Sequence, residues 1–217
     1  MTLNLGNIPL ILIFLSLLEI LFILIPAFIS SKITKKTLLE EIKEMGFSKP
    51  FKSNKLITIQ ILSGLGIGIT LYVIIGIIFS FIVNNLFIPI FGMDFVQNGV
   101  ENAISVQPYN PSILELSILL IIQIIIIAPC EEAFFRGFLI TKLDLKLRRR
   151  YSILFSSSFF ALYHTPLFFI PFSTVIVYFP YYFLIALVLA FVFVKFKNSI
   201  IPCITAHSIF NILSLLI

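Results

Sequence analysis

The chain has 217 residues, of which 59% are hydrophobic and 12% charged, with a net charge of +5 and a mean hydropathy of +1.13. Soluble domains run at about 45–50% apolar and about 25% charged residues, so this composition excludes an ordinary soluble domain and points to the bilayer. The basic excess does not mark a nucleic-acid binder, because the lysines and arginines flank apolar runs, where membrane orientation requires them.

Six apolar segments follow in chain order: Ile8–Phe28, Leu56–Val83, Ile113–Ile140, Tyr151–Ile170, Thr174–Val194 and Ser199–Leu216. Each approaches or exceeds the ~18–20 residues that span a bilayer as a helix. Ile8–Phe28 is too long for the core of a signal peptide and lacks a basic n-region and a small-residue cleavage site, so it reads as a mature helix. The connection Ser30–Lys55 reads as a basic, solvated linker that starts as a short amphipathic cytoplasmic helix and ends in a turn around Gly46 and Pro50. Gly64 and Gly68, spaced i, i+4, suit close helix packing. The expected architecture is all-α: a polytopic membrane bundle of about six transmembrane helices, forming a single integral membrane domain over residues 1–217.

Of the 15 basic residues, all but Arg136 fall in Ser30–Lys55, in Thr141–Arg150, or at Lys195 and Lys197. These are alternate connections, and the intervening loop Asn84–Ser112 carries only Asp94 and Glu101 as charged residues. The positive-inside rule therefore makes the basic face cytoplasmic and puts both termini on the other side.

Ionisable residues inside apolar helices are expensive and mark function by default. Here they are Glu19, Glu115, Glu131, Glu132, Arg136, His164 and His207. Glu115 is close enough to its helix end to reach the interface. Glu19 is central in the first helix and reads as a helix-pairing residue with no assigned chemistry. At about 1.5 Å per residue, Glu131 lies roughly 16 Å along its helix from Lys142, His164 roughly 21 Å from Arg150, and His207 roughly 14 Å from Asn198. One acid and two imidazoles on three helices thus reach similar depth from the same side.

Glu132 and Arg136 are i, i+4 and can pair on one helix face, leaving Glu131 turned about 100° away. His207 and Asn211 are likewise i, i+4, and Phe160 sits one turn before His164. Pro129, Pro166 and Pro202, each near one of these residues, can loosen the backbone there. A carboxylate with two histidines can activate water directly or on a metal, and Asn211 can hydrogen-bond an oxyanion. That chemistry fits hydrolysis in the membrane; a proton-linked transporter and a purely structural polar network are the competing readings. Cys130 and Cys203 read as packing residues, outside the catalytic set.

Glu131–Arg136 reads EEAFFR, an EExxxR motif; Phe160–His164 reads FALYH, an FxxxH motif; His207–Asn211 reads HSIFN, an HxxxN motif. In this order on separate helices they resemble the CAAX prenyl protease and bacteriocin-processing (CPBP, or Abi) intramembrane endopeptidases, over about Ile113–Leu216. GFSKP, before the second apolar run, is a loose echo of a short segment common there. The resemblance implies a catalytic core over residues 113–216. It implies Glu131 as the base that activates water with help from His164, and His207 and Asn211 as ligands of the oxyanion or the water. It implies Glu132 and Arg136 as paired structural support, with Phe160 behind His164. Family members are described both as metalloproteases and as metal-free glutamate proteases, so the cofactor is either none or Zn²⁺ on Glu131, His164 and His207. The implied partners are the lipid bilayer and a membrane-associated protein or peptide substrate, reached through an opening toward the cytoplasm or laterally between helices. A non-catalytic bacteriocin-immunity or scaffold protein of the same fold is the alternative. HExxH, GxSxG and GxGD signatures of other intramembrane proteases are absent from the sequence.

Overall fold

The computed structural model describes residues 9–47, 54–104 and 112–217, and every regular element among them is helical. The chain runs through α1 (Ile11–Thr34), α2 (Leu38–Ile42), α3 (Asn54–Phe91), α4 (Met93–Glu101), α5 (Ile113–Leu143), α6 (Arg149–His164), α7 (Phe172–Lys195) and α8 (Ile201–Leu216). Four of them, α1, α3, α5 and α7, are long and apolar enough to cross a membrane, which makes this a multi-pass membrane protein.

The other two expected spans are shorter. At 16 residues each, α6 and α8 rise about 24 Å, less than the ~30 Å hydrocarbon core. Proline sets both limits. Pro166 disfavours helical backbone at the residue before it, and Thr165 leaves the helix at φ −124°, ψ 67°, so Tyr151–Ile170 does not continue as one helix. Pro202 occupies the first turn of α8, where its missing amide is tolerated. Two helices run longer than expected: α1 reaches Thr34 and α3 reaches Phe91. The Asn84 and Asn85 side chains donate to the Ser80 and Phe81 carbonyls at 2.8 and 2.9 Å, so these polar residues do not end α3. The expected loop after Val83 also holds α4, which packs on α7 where Ser173 Oγ meets Asn98 Oδ1 at 2.7 Å.

The basic linker is less solvated than its composition suggests. Helix α2 starts with a capping box, the Thr37 hydroxyl accepting from the Glu40 amide while the Glu40 carboxylate accepts from the Thr37 amide. Its Glu41 is 1% exposed, held by Thr34 Oγ1 at 2.6 Å and by Lys142 Nζ of α5 at 2.9 Å. Burial alone would raise the Glu41 carboxyl. The hydrogen bonds from Thr34, Ser30 and Lys142 outweigh it and lower the group to about 2. Beyond α2 the backbone turns at Gly46, φ 110°, a left-handed conformation that favours glycine. The expected turn at Pro50 lies outside the described residues.

Lipid gives little hydrophobic drive for helix association, so close backbone contact matters. A Cβ at Gly68 would lie 2.6 Å from the Ala206 carbonyl, and one at Gly137 would lie 1.8 Å from the Met45 carbonyl. The first contact seats α3 against α8 beside His207, and the second seats the α2 linker against α5 just past Arg136.

Candidate active site

Helix α5 carries the two acids at mid-length, in a backbone that Pro129 disturbs. Proline has no amide for the helical ladder, and its ring crowds the carbonyl four residues back. The turn before it widens, and the Ala128 amide bonds to the Gln123 carbonyl. Wide π turns over Gln123–Ile127 and Ala133–Ile140 flank the short α-helical stretch Ala128–Glu132. Such turns recur at functional sites.

The adjacent carboxylates face different partners. Glu132 Oε1 accepts from Arg136 Nη1 at 2.8 Å and lies 2.8 Å from His207 Nδ1 of α8. Arg136 also donates to the Ala186 carbonyl of α7 at 3.2 Å and lies over the Phe160 ring, 4.7 Å from its centroid. Glu132 and Arg136 are 0% and 1% exposed, so this network is dry. Glu132 is thus more than a counter-ion for Arg136, because it also fixes a histidine on another helix.

Glu131 points into a different environment. Its Oε2 lies 3.7 Å from His207 Nε2 and 3.9 Å from His164 Nε2, and it has no hydrogen-bond partner although it is buried. The tautomers follow from the far nitrogens. His207 Nδ1 faces a carboxylate, and His164 Nδ1 faces the Phe160 carbonyl at 3.0 Å, so each Nδ1 carries the hydrogen and donates it. Both Nε2 atoms are then acceptors aimed at a third acceptor, Glu131 Oε2. Three acceptors around one point call for a donor with two hydrogens, which is what water supplies.

The remaining residues divide. Phe160 stacks on His164 with ring centroids 4.3 Å apart, and Tyr182 meets the other side at 4.7 Å. Asn211 Nδ2 donates to Gln123 Oε1 at 2.8 Å, and both residues line the cavity that Glu131 and His164 line. Gln123 escaped a sequence search confined to ionisable residues, although a lone amide in ILLIIQIIII was a visible signal. Tyr163 also escaped it; its hydroxyl donates to Glu19 Oε1, so Glu19 does pair two helices, one residue from His164. Glu115 closes a capping box with Ser112 at the start of α5. Cys130 and Cys203 are free and buried, and Cys203 Sγ contacts the Leu189 carbonyl at 3.4 Å.

A cavity of about 1400 Å³ opens from Glu131 and His164. Its wall includes Glu19 of α1, Tyr72 of α3, Gln123 of α5, Tyr178 of α7 and Asn211 of α8. As it stands the centre is slightly wide for a zinc site: ligands about 2.0–2.2 Å from one tetrahedral ion stand roughly 3.3–3.6 Å apart, closer than the 3.7 and 3.9 Å between Glu131 Oε2 and the two Nε2 atoms.

The sequence comparison agrees with the resemblance read from the sequence. Residues 113–213 match the family model of type II CAAX prenyl endopeptidases, Rce1-like. That segment is similar to this family. No curated protein and no solved structure matches. The Rce1-like segment runs from α5 through α8 and so contains all three motifs and every group of the acid–histidine centre. Proteases of this kind act on membrane-associated proteins, in keeping with the CPBP resemblance.

Proposed function

We propose that this protein is an intramembrane endopeptidase in which Glu131 activates water against a peptide bond. The observation that carries the reading is the convergence of Glu131 Oε2 with the Nε2 atoms of His164 and His207, 3.9 and 3.7 Å away, in a buried pocket continuous with a large cavity. Water held by Glu131 and His164 gives one proton to Glu131 as its oxygen adds to the scissile carbonyl. The tetrahedral oxyanion takes a hydrogen bond from the Asn211 amide, whose second N–H is not committed to Gln123. His207, when it holds a proton on Nε2, also donates to the oxyanion, and Glu132 at its Nδ1 stabilises that imidazolium. Glu131 then returns its proton to the leaving nitrogen as the C–N bond breaks, yielding an amine and a carboxylic acid that releases its remaining proton to solvent. Arg136 and Phe160 hold Glu132 and His164 in place. No step requires a metal.

The proposed topology keeps six crossings, with α6 and α8 as short spans inside the bundle. The basic ends of α1, α5 and α7 face the cytoplasm and both termini lie on the other side, as alternate basic connections require. Residues 113–216 form the catalytic core.

The test is cleavage of a membrane-associated peptide by purified wild type, Glu131→Ala and His164→Ala in the same lipid or detergent. Each substitution is expected to abolish cleavage while the helical spectrum and gel-filtration profile stay unchanged. Cleavage by both variants at the wild-type rate would overturn the assignment.

A further inference from the structure

Before Lys32 the chain carries one charged side chain, Glu19, which lies outside the segment 113–213 that is similar to the Rce1-like family. Glu19 is buried within α1. An ionisable group buried in an apolar helix is costly, so its presence marks a function. The backbone changes at the same place. The Glu19 and Ile20 amides bond the Ser16 and Leu17 carbonyls at 3.2 Å, three residues back instead of four, so α1 tightens to 3₁₀ geometry at the acid. Mid-helix turns of this kind mark hinges or strained functional positions.

The two carboxyl oxygens of Glu19 differ. Oε1 accepts from the Tyr163 hydroxyl of α6, and Oε2 has no hydrogen-bond partner among the described residues. Three residues on, Phe22 meets the Tyr163 ring edge-on, with centroids 4.9 Å apart. The same Phe22 ring packs on Phe134 and Phe135 of the EEAFFR motif at 5.0 and 5.7 Å. Helix α1 therefore holds Tyr163 at both its hydroxyl and its ring, braced on the motif of α5.

Tyr163 in turn touches His164. The two rings are perpendicular with centroids 5.0 Å apart, and Tyr163 adds a third wall to those formed by Phe160 at 4.3 Å and Tyr182 at 4.7 Å. His164 needs that support because it is the last residue of α6, and the backbone leaves helical geometry at Thr165. The other polar bonds of this turn are local: the Thr165 amide and hydroxyl both donate to the Ala161 carbonyl, and His164 Nδ1 donates to the Phe160 carbonyl. Local bonds fix the turn to itself. Among the described residues, the bond from Tyr163 to Glu19 is the hydrogen bond that ties the turn to another helix.

We propose that Glu19 is a positioning residue of the proteolytic site, acting through Tyr163 to hold the His164 ring toward Glu131. The effect on rate rests on the proteolytic reading, while the hold on His164 is measurable without catalysis. Glu19 fixes the Tyr163 rotamer, Tyr163 fixes the ring plane of His164, and His164 Nε2 faces Glu131 Oε2 from 3.9 Å. Without the carboxylate the last turn of α6 loses its tie to α1. Helix α1 thus serves the site although it lies outside the segment similar to the family.

The experiment compares wild type with Glu19→Leu, Glu19→Gln, Tyr163→Phe and the double variant Glu19→Leu/Tyr163→Phe on one membrane-associated peptide, with thermal unfolding of each. Tyr163→Phe removes a single oxygen and keeps the ring contacts, so it tests the bond even if Glu19→Leu folds poorly. Glu19→Leu and Tyr163→Phe are each expected to lower kcat roughly 10–10²-fold at unchanged KM, as a misplaced catalytic group does. The double variant should be no slower than the slower single one. Glu19→Gln, which still offers Tyr163 an oxygen, should recover most of the loss. The chain has two histidines, so ¹⁵N-histidine spectra separate them, with His164→Ala as the reference. The His164 ring signals should shift in Glu19→Leu and Tyr163→Phe and return in Glu19→Gln. Wild-type kcat in Tyr163→Phe overturns the proposal. So does a raised KM at unchanged kcat, which would make Glu19 a substrate contact, and so does a lower stability with the His164 signals unmoved. Shifted His164 signals in a protein whose wild type cleaves no peptide would uphold the hold on His164 and count against the protease assignment.

Discussion

Replacing Arg136 with alanine removes the guanidinium that, among the described residues, pairs with Glu132 in a dry setting. Glu132 is 0% exposed and bonded to Arg136 at 2.8 Å, and Arg136 itself is 1% exposed. Taking away one partner of such a pair leaves a buried charge uncompensated, which costs about 3–5 kcal/mol. The lost bond to the Ala186 carbonyl and the lost contact over Phe160 add to that cost. Glu132 also holds His207 Nδ1, so the perturbation reaches the proposed catalytic centre through one bond. The assay is thermal or denaturant unfolding in a single detergent, run on Arg136→Ala, Glu132→Gln and the double variant. The two single losses are expected to exceed the double-variant loss when summed, because Glu132→Gln already removes the charge that Arg136 neutralises. Coupling energies of ~0.5–3 kcal/mol are usual for contacting residues. An Arg136→Ala protein as stable as wild type, or strictly additive losses, would refute the account of this pair.

Three further outcomes are expected. Gly137→Ala puts a methyl group where the Met45 carbonyl stands, so it should detach the α2 linker from α5, read as lower stability and faster proteolysis in the linker; Gly76→Ala, in open space, should do neither. Glu41 is lowered to about 2 in the folded protein, so its stabilisation is complete above the unfolded carboxyl value near 4.5 and is lost as pH falls through about 2. By that linkage Glu41→Gln should flatten the acid limb of the unfolding curve. Because Glu131 Oε2 stands 3.7 and 3.9 Å from the two imidazole Nε2 atoms, wider than the ligands of one zinc ion, cleavage should survive dialysis against a strong chelator. Loss of activity restored by Zn²⁺ alone would reverse that expectation.

Much of this was readable before any coordinates. The spacing of Glu132 and Arg136 is enough to pair them, and similar depth from the basic ends is enough to suggest that Glu131, His164 and His207 meet. Depth is one-dimensional, however, and what it leaves out depends on rotation about helix axes. The second bond of Glu132, to His207 Nδ1, needs the facing angle of α8. The link from Asn211 to Gln123 needs the widened turn that Pro129 imposes on α5. Hydropathy also overstated α6, since an apolar run does not say where Thr165–Pro166 ends a helix. Lysine counting assigned a basic face but not the buried cluster around Ile140 and Ile200, which depends on how α5, α6, α7 and α8 face one another. The buried Glu41 was hidden in a lysine-rich stretch whose composition resembles a solvated linker.

The central claim is that Glu131 activates water. Its most direct test is cleavage of a defined peptide in ¹⁸O-labelled water by wild type and by Glu131→Gln, an isosteric change that keeps the side-chain shape but cannot take a proton. The account predicts one ¹⁸O in the new carboxylate from wild type and a rate about 10²–10⁴-fold lower for Glu131→Gln at unchanged stability. A Glu131→Gln enzyme that cleaves at the wild-type rate would contradict it.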